Sequence, residues 1–271
     1  RGLSGVRKVG HLGTLDPNAT GVLPLLIGRA TRLAQFFGRA EKKYEGVVHF
    51  GHSTDTFDVE GKPTSEPVQV ALVREALERA LDQFRGVIMQ VPPPVSAKKV
   101  GGVPAYKLAR RNEPPNLPPV QVEIFSISVL WFESPKAALS VHCSAGTYVR
   151  SIAHDLGKLL GCGAYLDSLR RTSSGDFHLS MARTVDQLSG LANQGRIGEA
   201  LVPSASLLPD FPAETFDSPT VAFIRQGREF RTSPFRTVRD ARFVKAVDAD
   251  GELIAIGEAK LPNVYHPVIV L

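Results

Sequence analysis

The residues best suited to chemistry in this sequence stand in one short segment, Gly10-His11-Leu12-Gly13-Thr14-Leu15-Asp16-Pro17-Asn18-Ala19-Thr20-Gly21. Asp16 precedes a proline, whose ring disfavours helical backbone in the residue before it and holds Asp16 extended. The surrounding glycines, with Thr14, Asn18 and Thr20, suit a tight irregular loop. A carboxylate on such a loop can act as a nucleophile or accept a proton, and it is ionised at neutral pH unless burial raises its pKa from about 3.9. It can also cap its own loop in an Asx-type turn, and the residues alone favour that second role.

Other candidate chemistry is weaker. Asp55 and Asp58 lie in the polar loop TDTFDVEGKP. A calcium-binding EF-hand needs glycine at its sixth position, and counted from Asp55 that position is Glu60, so the loop reads as structural. No second acid accompanies Asp16 in its loop, which argues against the paired carboxylates of a glycoside hydrolase. Cys143 and Cys162 form no CxxC pair and read as free thiols of a cytoplasmic protein. The net charge of +5 favours a polyanionic partner, nucleic acid above all. The segment SAKKVGGVPAYKLARR carries Lys98, Lys99, Lys107, Arg110 and Arg111 without an acidic residue, a composition suited to gripping phosphate. Arg225, Arg228, Arg231, Arg236, Arg239 and Arg242 form a second basic group near the C-terminus.

The elements that must position these residues can be read from periodicity. Residues 21–28, an apolar run bounded by glycines, predict a buried strand, and 30–37 predict a helix. Residues 43–50 predict a strand. Val70, Val73, Ala76, Leu77, Ala80, Leu81 and Phe84 predict a helix over 68–84 with one apolar face. The proline-rich stretch 91–120 reads mostly as loop, a poor helix or strand. Alternation over 120–132 predicts a strand, with 137–143 as its antiparallel neighbour. Ile152, Leu156, Leu159 and Leu160 mark a helix that Gly161 stops, and 184–202 reads as helical. A small β module is expected at 216–271, with a hairpin around Asp250-Gly251. Strands and helices without regular βαβ alternation predict an α+β fold. The 43% hydrophobic content supports a buried core, and no apolar run reaches the roughly 18–20 residues of a membrane helix.

The segment GHLGTLDPNATGVLPLLIGRATR is similar, nearly residue for residue, to the catalytic loop of the TruB family of pseudouridine synthases. Further segments follow in the family's order. Lys43-Tyr44 resembles its KxY element. Thr54-Asp55-Thr56-x-Asp58-x-x-Gly61 resembles its TDTxDxxG loop, and Ser96 through Arg110 its thumb insertion. Cys143 through Ser151 resembles its CSxGTYxRx turn, and Leu169-Arg170-Arg171 a later landmark. The resemblance covers about residues 9 to 186. The family opens with a further strand and a KPxGxTS stretch, so it also implies residues before Arg1.

What the resemblance implies is concrete. The fold would be a pseudouridine synthase domain over 1–210, built on a mixed, largely antiparallel sheet with flanking helices and a thumb-like insertion at about 91–120. A PUA-like RNA-binding module would occupy 216–271. The activity would be isomerisation of the T-loop uridine of tRNA, position 55, with base flipping and with no cofactor or metal. Asp16 would be the essential carboxylate, Arg150 its counter-charge, and Tyr44 the ring stacked on the target base. His11 would hold the flipped nucleotide, Tyr148 and Leu169 would line the pocket, and the five thumb cations would contact tRNA. No membrane and no obligatory protein partner would be needed. Two alternatives are the catalytic subunit of a guide-RNA particle and a protein that binds and remodels tRNA without chemistry. The thumb-like insertion argues against the first, and the intact Asp16, Tyr44 and Arg150 against the second.

Overall fold

The computed structural model describes residues 2–96, 98–109, 117–233 and 241–271. The chain forms two compact units, one made of Arg1–Leu12, Leu25–Gly38 and Arg183–Leu271, the other of Gly13–Pro24 and Arg39–Ala182.

The second unit carries a seven-stranded sheet. Its strands in chain order are β1 (Ala19–Gly21), β2 (Lys42–Phe50), β3 (Gly86–Gln90), β4 (Val120–Glu133), β5 (Lys136–Cys143), β6 (Ala164–Ser174) and β7 (Phe177–His178). They hydrogen-bond in the order β7-β6-β2-β5-β4-β3, and β1 pairs with β6. Only the β1–β6 pairing is parallel; the others are antiparallel. Helix α1 (Arg74–Leu81), the short α2 (Ala105–Ala109) and α3 (Val149–Leu159) complete the unit.

One face of the sheet makes the core. Val48 and Phe50 of β2, Ile124 and Ile127 of β4, and Leu139 and Val141 of β5 pack with Leu77 and Leu81 of α1 and Ile152 and Leu156 of α3. All are at least nine-tenths buried. The period-2 and period-3.6 patterns of these segments thus bury their apolar faces against each other.

Several expectations are corrected. Residues 21–28 are not one buried strand. Pro24, which has no N–H to give a ladder, divides β1 from Leu25–Ile27, which pairs instead with Val9–His11, and Leu25 is exposed. The helix expected over 68–84 begins only at Arg74, because Val73 is extended; a 3₁₀ turn, Asp82–Phe84, finishes it. Within 91–120, Lys99–Val100 and Val103–Pro104 form a small hairpin around Gly101 and Gly102, both at positive φ, and α2 follows. Glycine tolerates that turn, and Ala-Tyr-Lys-Leu-Ala favours helix. Strand β6 was not anticipated as a strand, although it lies centrally in the sheet.

In the first unit, Ala213–Thr215, Phe243–Val247, Leu253–Leu261, Val264–Val270 and Phe230–Arg231 form a five-stranded sheet in that order. The hairpin at Asp250-Gly251 is present, with Asp248 Oδ1 accepting from the amides of Asp250 and Glu252. Helix Ser218–Arg225, capped by Asp217, was not expected within this β module. Its Val221 and Ile224 pack with Phe230, Val244, Ile254 and Tyr265. Phe36 meets the rings of Phe211 and Phe243 at 5.2 and 5.3 Å, which ties the N-terminal segment of this unit to its later part. Among the described residues no helix is long and apolar enough to cross a membrane.

Helix α3 crosses β6 so closely that Gly157 is required. A Cβ there would lie 2.1 Å from the amide nitrogen of Ala164. Alanine in a helix is ordinarily worth about 1 kcal/mol over glycine, but the overlap would push α3 off the sheet. Gly157→Ala is expected to destabilise the fold by about 2 kcal/mol. A urea denaturation midpoint equal to or above the parent's would refute this packing argument.

Candidate active site

The loop from Gly13 to Gly21 brings Asp16 to the edge of the sheet. Asp16 opens a turn with Pro17 in the position proline favours, closed by the Ala19 amide donating to the Asp16 carbonyl at 2.9 Å. The chain then enters β1 alongside β6, with Ala19, Thr20 and Gly21 opposite Leu169, Arg170 and Arg171.

Arg150, in the first turn of α3, meets the Asp16 carboxylate from beneath. Its Nε donates to Oδ2 at 2.9 Å and its Nη2 to Oδ1 at 2.6 Å, a two-point pairing. The Arg150 side chain is 6% exposed, whereas that of Asp16 is 33% exposed. The carboxylate is therefore pinned from inside and open outside. Asp16 and Arg150 line a concavity with Asn18, Asp58, Leu166 and Leu169.

The third guanidinium nitrogen is also occupied. Arg150 Nη1 donates to the carbonyls of Val95 at 3.0 Å and Thr56 at 3.3 Å, and lies 3.3 Å from Asp58 Oδ2. Asp58, expected to be merely structural, is thus a second carboxylate on the same guanidinium. Its other oxygen accepts from Thr56 Oγ1 at 2.6 Å and from the Glu60 amide at 3.1 Å. Gly61 allows the loop to close this tightly, since a Cβ there would lie 2.4 Å from Thr56 Oγ1.

The other expected residues are placed as follows. Tyr44 lies half-buried on β2, with Arg171 of β6 as its Cα partner. Burial raises its hydroxyl pKa above the ordinary value, with the nearby Cys143 adding to this and Arg171 opposing it, so the phenol keeps its proton at neutral pH. Leu169 packs at the core margin and lines the same concavity as Asp16. Tyr148 is the N-cap residue of α3, two positions before Arg150. The amide of Gln90, itself 1% exposed, accepts from the Tyr148 N–H at 2.8 Å and donates to its carbonyl at 3.1 Å, which fixes where α3 begins. His11 is exposed at the end of Val9–His11, a strand of the other unit. Lys98 and Lys107 are exposed; Lys99 is described only as backbone, in the hairpin. Arg110 and Arg111, and in the C-terminal group Arg236 and Arg239, lie outside the described residues. Among the described residues no group of three or more His, Cys, Asp or Glu side chains stands where it would hold a metal.

Asp58 has a faint trace in the sequence, a fourth acid-or-hydroxyl position in TDTFD, but the ion pair joins residues 92 positions apart, and no local pattern reports that. The same holds for Gln90.

Comparison with known proteins bears on this arrangement. The profile of the TruB family pseudouridylate synthase (N terminal domain) matches residues 1–149. That of the tRNA pseudouridylate synthase B C-terminal domain matches residues 150–208. The chain belongs to the TruB family. It is 55% identical over 271 residues to tRNA pseudouridine synthase B of Solibacter usitatus (strain Ellin6076), covering 100% of this chain and 92% of that protein. It is 41% identical over 263 residues to tRNA pseudouridine synthase B of Stutzerimonas stutzeri (strain A1501), covering 95% and 84%. Among solved structures the fold is similar to a chain in a Cbf5-Nop10-Gar1 complex, with a TM-score of 0.70 and 24% identity over 98% of this chain and 77% of the other. It is also similar to one in the archaeal box H/ACA sRNP Nop10-Cbf5 complex, with a TM-score of 0.68 and 22% identity over 99% and 78%. These structural likenesses support the α+β fold, including its C-terminal β-rich module.

In this TruB-family chain the loop of Asp58 is seated by an aromatic contact. Phe57, at φ 65°, stacks on His154 with ring centroids 3.7 Å apart and planes 11° from parallel. His154 lies one helical turn beyond Arg150. Burial, and secondarily Lys158, pushes its pKa down to about 4. The unfolded chain protonates this histidine near 6.5, so the stability tied to neutral His154 is complete above that pH and is lost as pH falls towards 4. The loss is on the order of 2 kcal/mol. His154→Phe keeps a flat ring against Phe57 and is expected to show a shallower fall in urea stability between pH 7 and 4.5. Parallel pH profiles for parent and variant would rule out this role.

Proposed function

We propose that this chain converts the T-loop uridine of tRNA, position 55, to pseudouridine, with Asp16 as the reacting carboxylate. The observation that supports this most directly is the Asp16 carboxylate itself, pinned from beneath at two points by a buried guanidinium and open on its outer face. Membership of the TruB family and 55% identity to a tRNA pseudouridine synthase B give the reaction class and the substrate. The likeness to chains of the Cbf5 complexes, at 22–24% identity, is one of fold alone and does not favour a guided mechanism.

The reaction is an isomerisation. The bond from ribose C1′ to uracil N1 breaks, the base turns, and C1′ bonds to C5. The C5 proton leaves and N1 gains one, so no net oxidation or hydrolysis occurs. The target is first flipped out of its stack so that the carboxylate can reach it. Ionised Asp16 then attacks the sugar or takes a ribose proton. In either case Arg150 holds both oxygens in one orientation. Asp58 and the carbonyls of Thr56 and Val95 hold the third guanidinium nitrogen and keep the group from turning. Tyr44 offers a flat ring to the base and, as a protonated phenol, a hydrogen-bond donor. Leu169 and Tyr148 shape the pocket, and His11 holds the displaced nucleotide. The thumb cations Lys98, Lys99, Lys107, Arg110 and Arg111 contact phosphates, and the PUA-like module at 216–271 binds further along the tRNA. The enzyme works in the cytoplasm without an obligatory protein partner.

The decisive assay is incubation of the enzyme with unmodified tRNA transcript, followed by mapping of pseudouridine. Asp16→Asn keeps the shape of the side chain but not its charge. It is expected to abolish product while tRNA affinity stays within a few-fold of the parent, and product above background would remove Asp16 from the mechanism.

Neutralising the five thumb cations together is expected to weaken tRNA binding and flatten its salt dependence without changing the modified position. Each lost phosphate contact should reduce the slope of log affinity against log salt by about 0.7–0.9. An unchanged slope would move the phosphate grip elsewhere, to the C-terminal arginines.

A further inference from the structure

We propose that Arg171 is a positioning residue for this reaction, the clamp that fixes the loop carrying Asp16 to the strand carrying Tyr44. The proposal rests on the isomerase reading above for its effect on rate, while the clamp itself can be tested without it.

Arg171 is 1% exposed, which leaves no face for a phosphate. In β6 its Cα partners are Tyr44 of β2 on one side and Gly21 of β1 on the other. The side chain gathers both ends of the reactive loop. Nη2 donates to the Gly13 carbonyl at 3.3 Å and Nη1 to the Thr14 carbonyl at 3.0 Å, both ahead of Asp16. Nε donates to the Val22 carbonyl at 2.7 Å, beyond it. The main chain adds a fourth tie, the Val22 amide donating to the Arg171 carbonyl at 2.9 Å. Tyr44 is the cross-strand partner of Arg171 on β2, which brings the second reactive group beside the same residue.

Gly21 is matched to this clamp. It has φ +102°, and a Cβ there would lie 2.1 Å from the Arg171 carbonyl oxygen. The loop and the strand approach as backbone against backbone.

Arg150 and Arg171 therefore divide the work. Arg150 faces carboxylates and orients the reacting group. Arg171 faces carbonyls, which do not titrate, and sets where the loop itself sits. A lysine could not replace it, because one compact ammonium cannot reach carbonyls at both ends of the loop as a planar fork does.

The test separates positioning from folding and from binding. Arg171→Lys is expected to lower the single-turnover rate of pseudouridine formation about 100-fold, the effect of a misplacement near 1 Å, with tRNA Kd within threefold of the parent. Amides of Ala19 and Val22 should exchange with deuterium much faster than in the parent, while those of β5 are unchanged. A folded variant with parent-like rate and exchange overturns the proposal, and so does a loss of rate that merely follows a loss of affinity. If Arg171→Lys fails to fold, Gly21→Ala leaves the guanidinium intact and forces the two backbones apart. It should give the same split, and a folded Gly21→Ala with the parent's rate is evidence against the clamp. The parent alone supplies a last check: amides of Ala19 and Val22 should exchange as slowly as those of β6, and exchange orders of magnitude faster overturns the clamp. Failure of the parent to modify tRNA would instead defeat the isomerase reading and leave the exchange result standing.

Discussion

A guanidinium that cannot lose its proton, placed 6% exposed inside a fold, must be surrounded by acceptors. Arg150 imposes that condition on its neighbourhood. Its acceptors come from three separate parts of the chain: Asp16, the loop of Thr56 and Asp58, and Val95. The loops that bear them converge on one end of α3 because a charge buried there would otherwise be unpaired. The same requirement leaves Asp16 with one face held and one face open, as the role proposed for it requires.

The sheet makes this convergence possible. Strand β6 lies between β2 and the short parallel β1, so it borders Tyr44 on one side and the Asp16 loop on the other. Helix α3 packs on the sheet through Val149, Ile152, Ala153 and Leu156 and turns Arg150 and His154 towards the loops. The close approach at Gly157 and the Gln90 clamp at Tyr148 fix the height and start of that helix. Rigid elements thus hold groups that sit on irregular loops, the precision that the proposed chemistry requires.

Electrostatics within the unit separates groups that stay neutral from groups that stay charged. Burial keeps the Tyr44 phenol protonated and His154 unprotonated, and it raises the Cys143 thiol to about 11. None of the three adds charge near the Asp16–Arg150 pair at neutral pH.

The sequence by itself marked the candidate reactive segment, the strands β2, β4 and β5, and helix α3. Asp16-Pro17 among glycines marks a constrained loop, and alternation in 43–50, 120–132 and 137–143 marks strands, because these are local properties of residue type and spacing. The similarity of the ordered segments to a known family pointed to Asp16, Tyr44 and Arg150 together. The tertiary structure alone decided the rest. It placed Asp58 on Arg150, Gln90 on the backbone of Tyr148 and Arg171 on three carbonyls of the Asp16 loop. It also split 21–28 at Pro24 into two strands with different partners. The physical reason is common to all of these. Backbone carbonyls are the same at every residue, and strand register and ion pairs join positions far apart in the chain, so neither leaves a pattern in residue type that a linear reading can find.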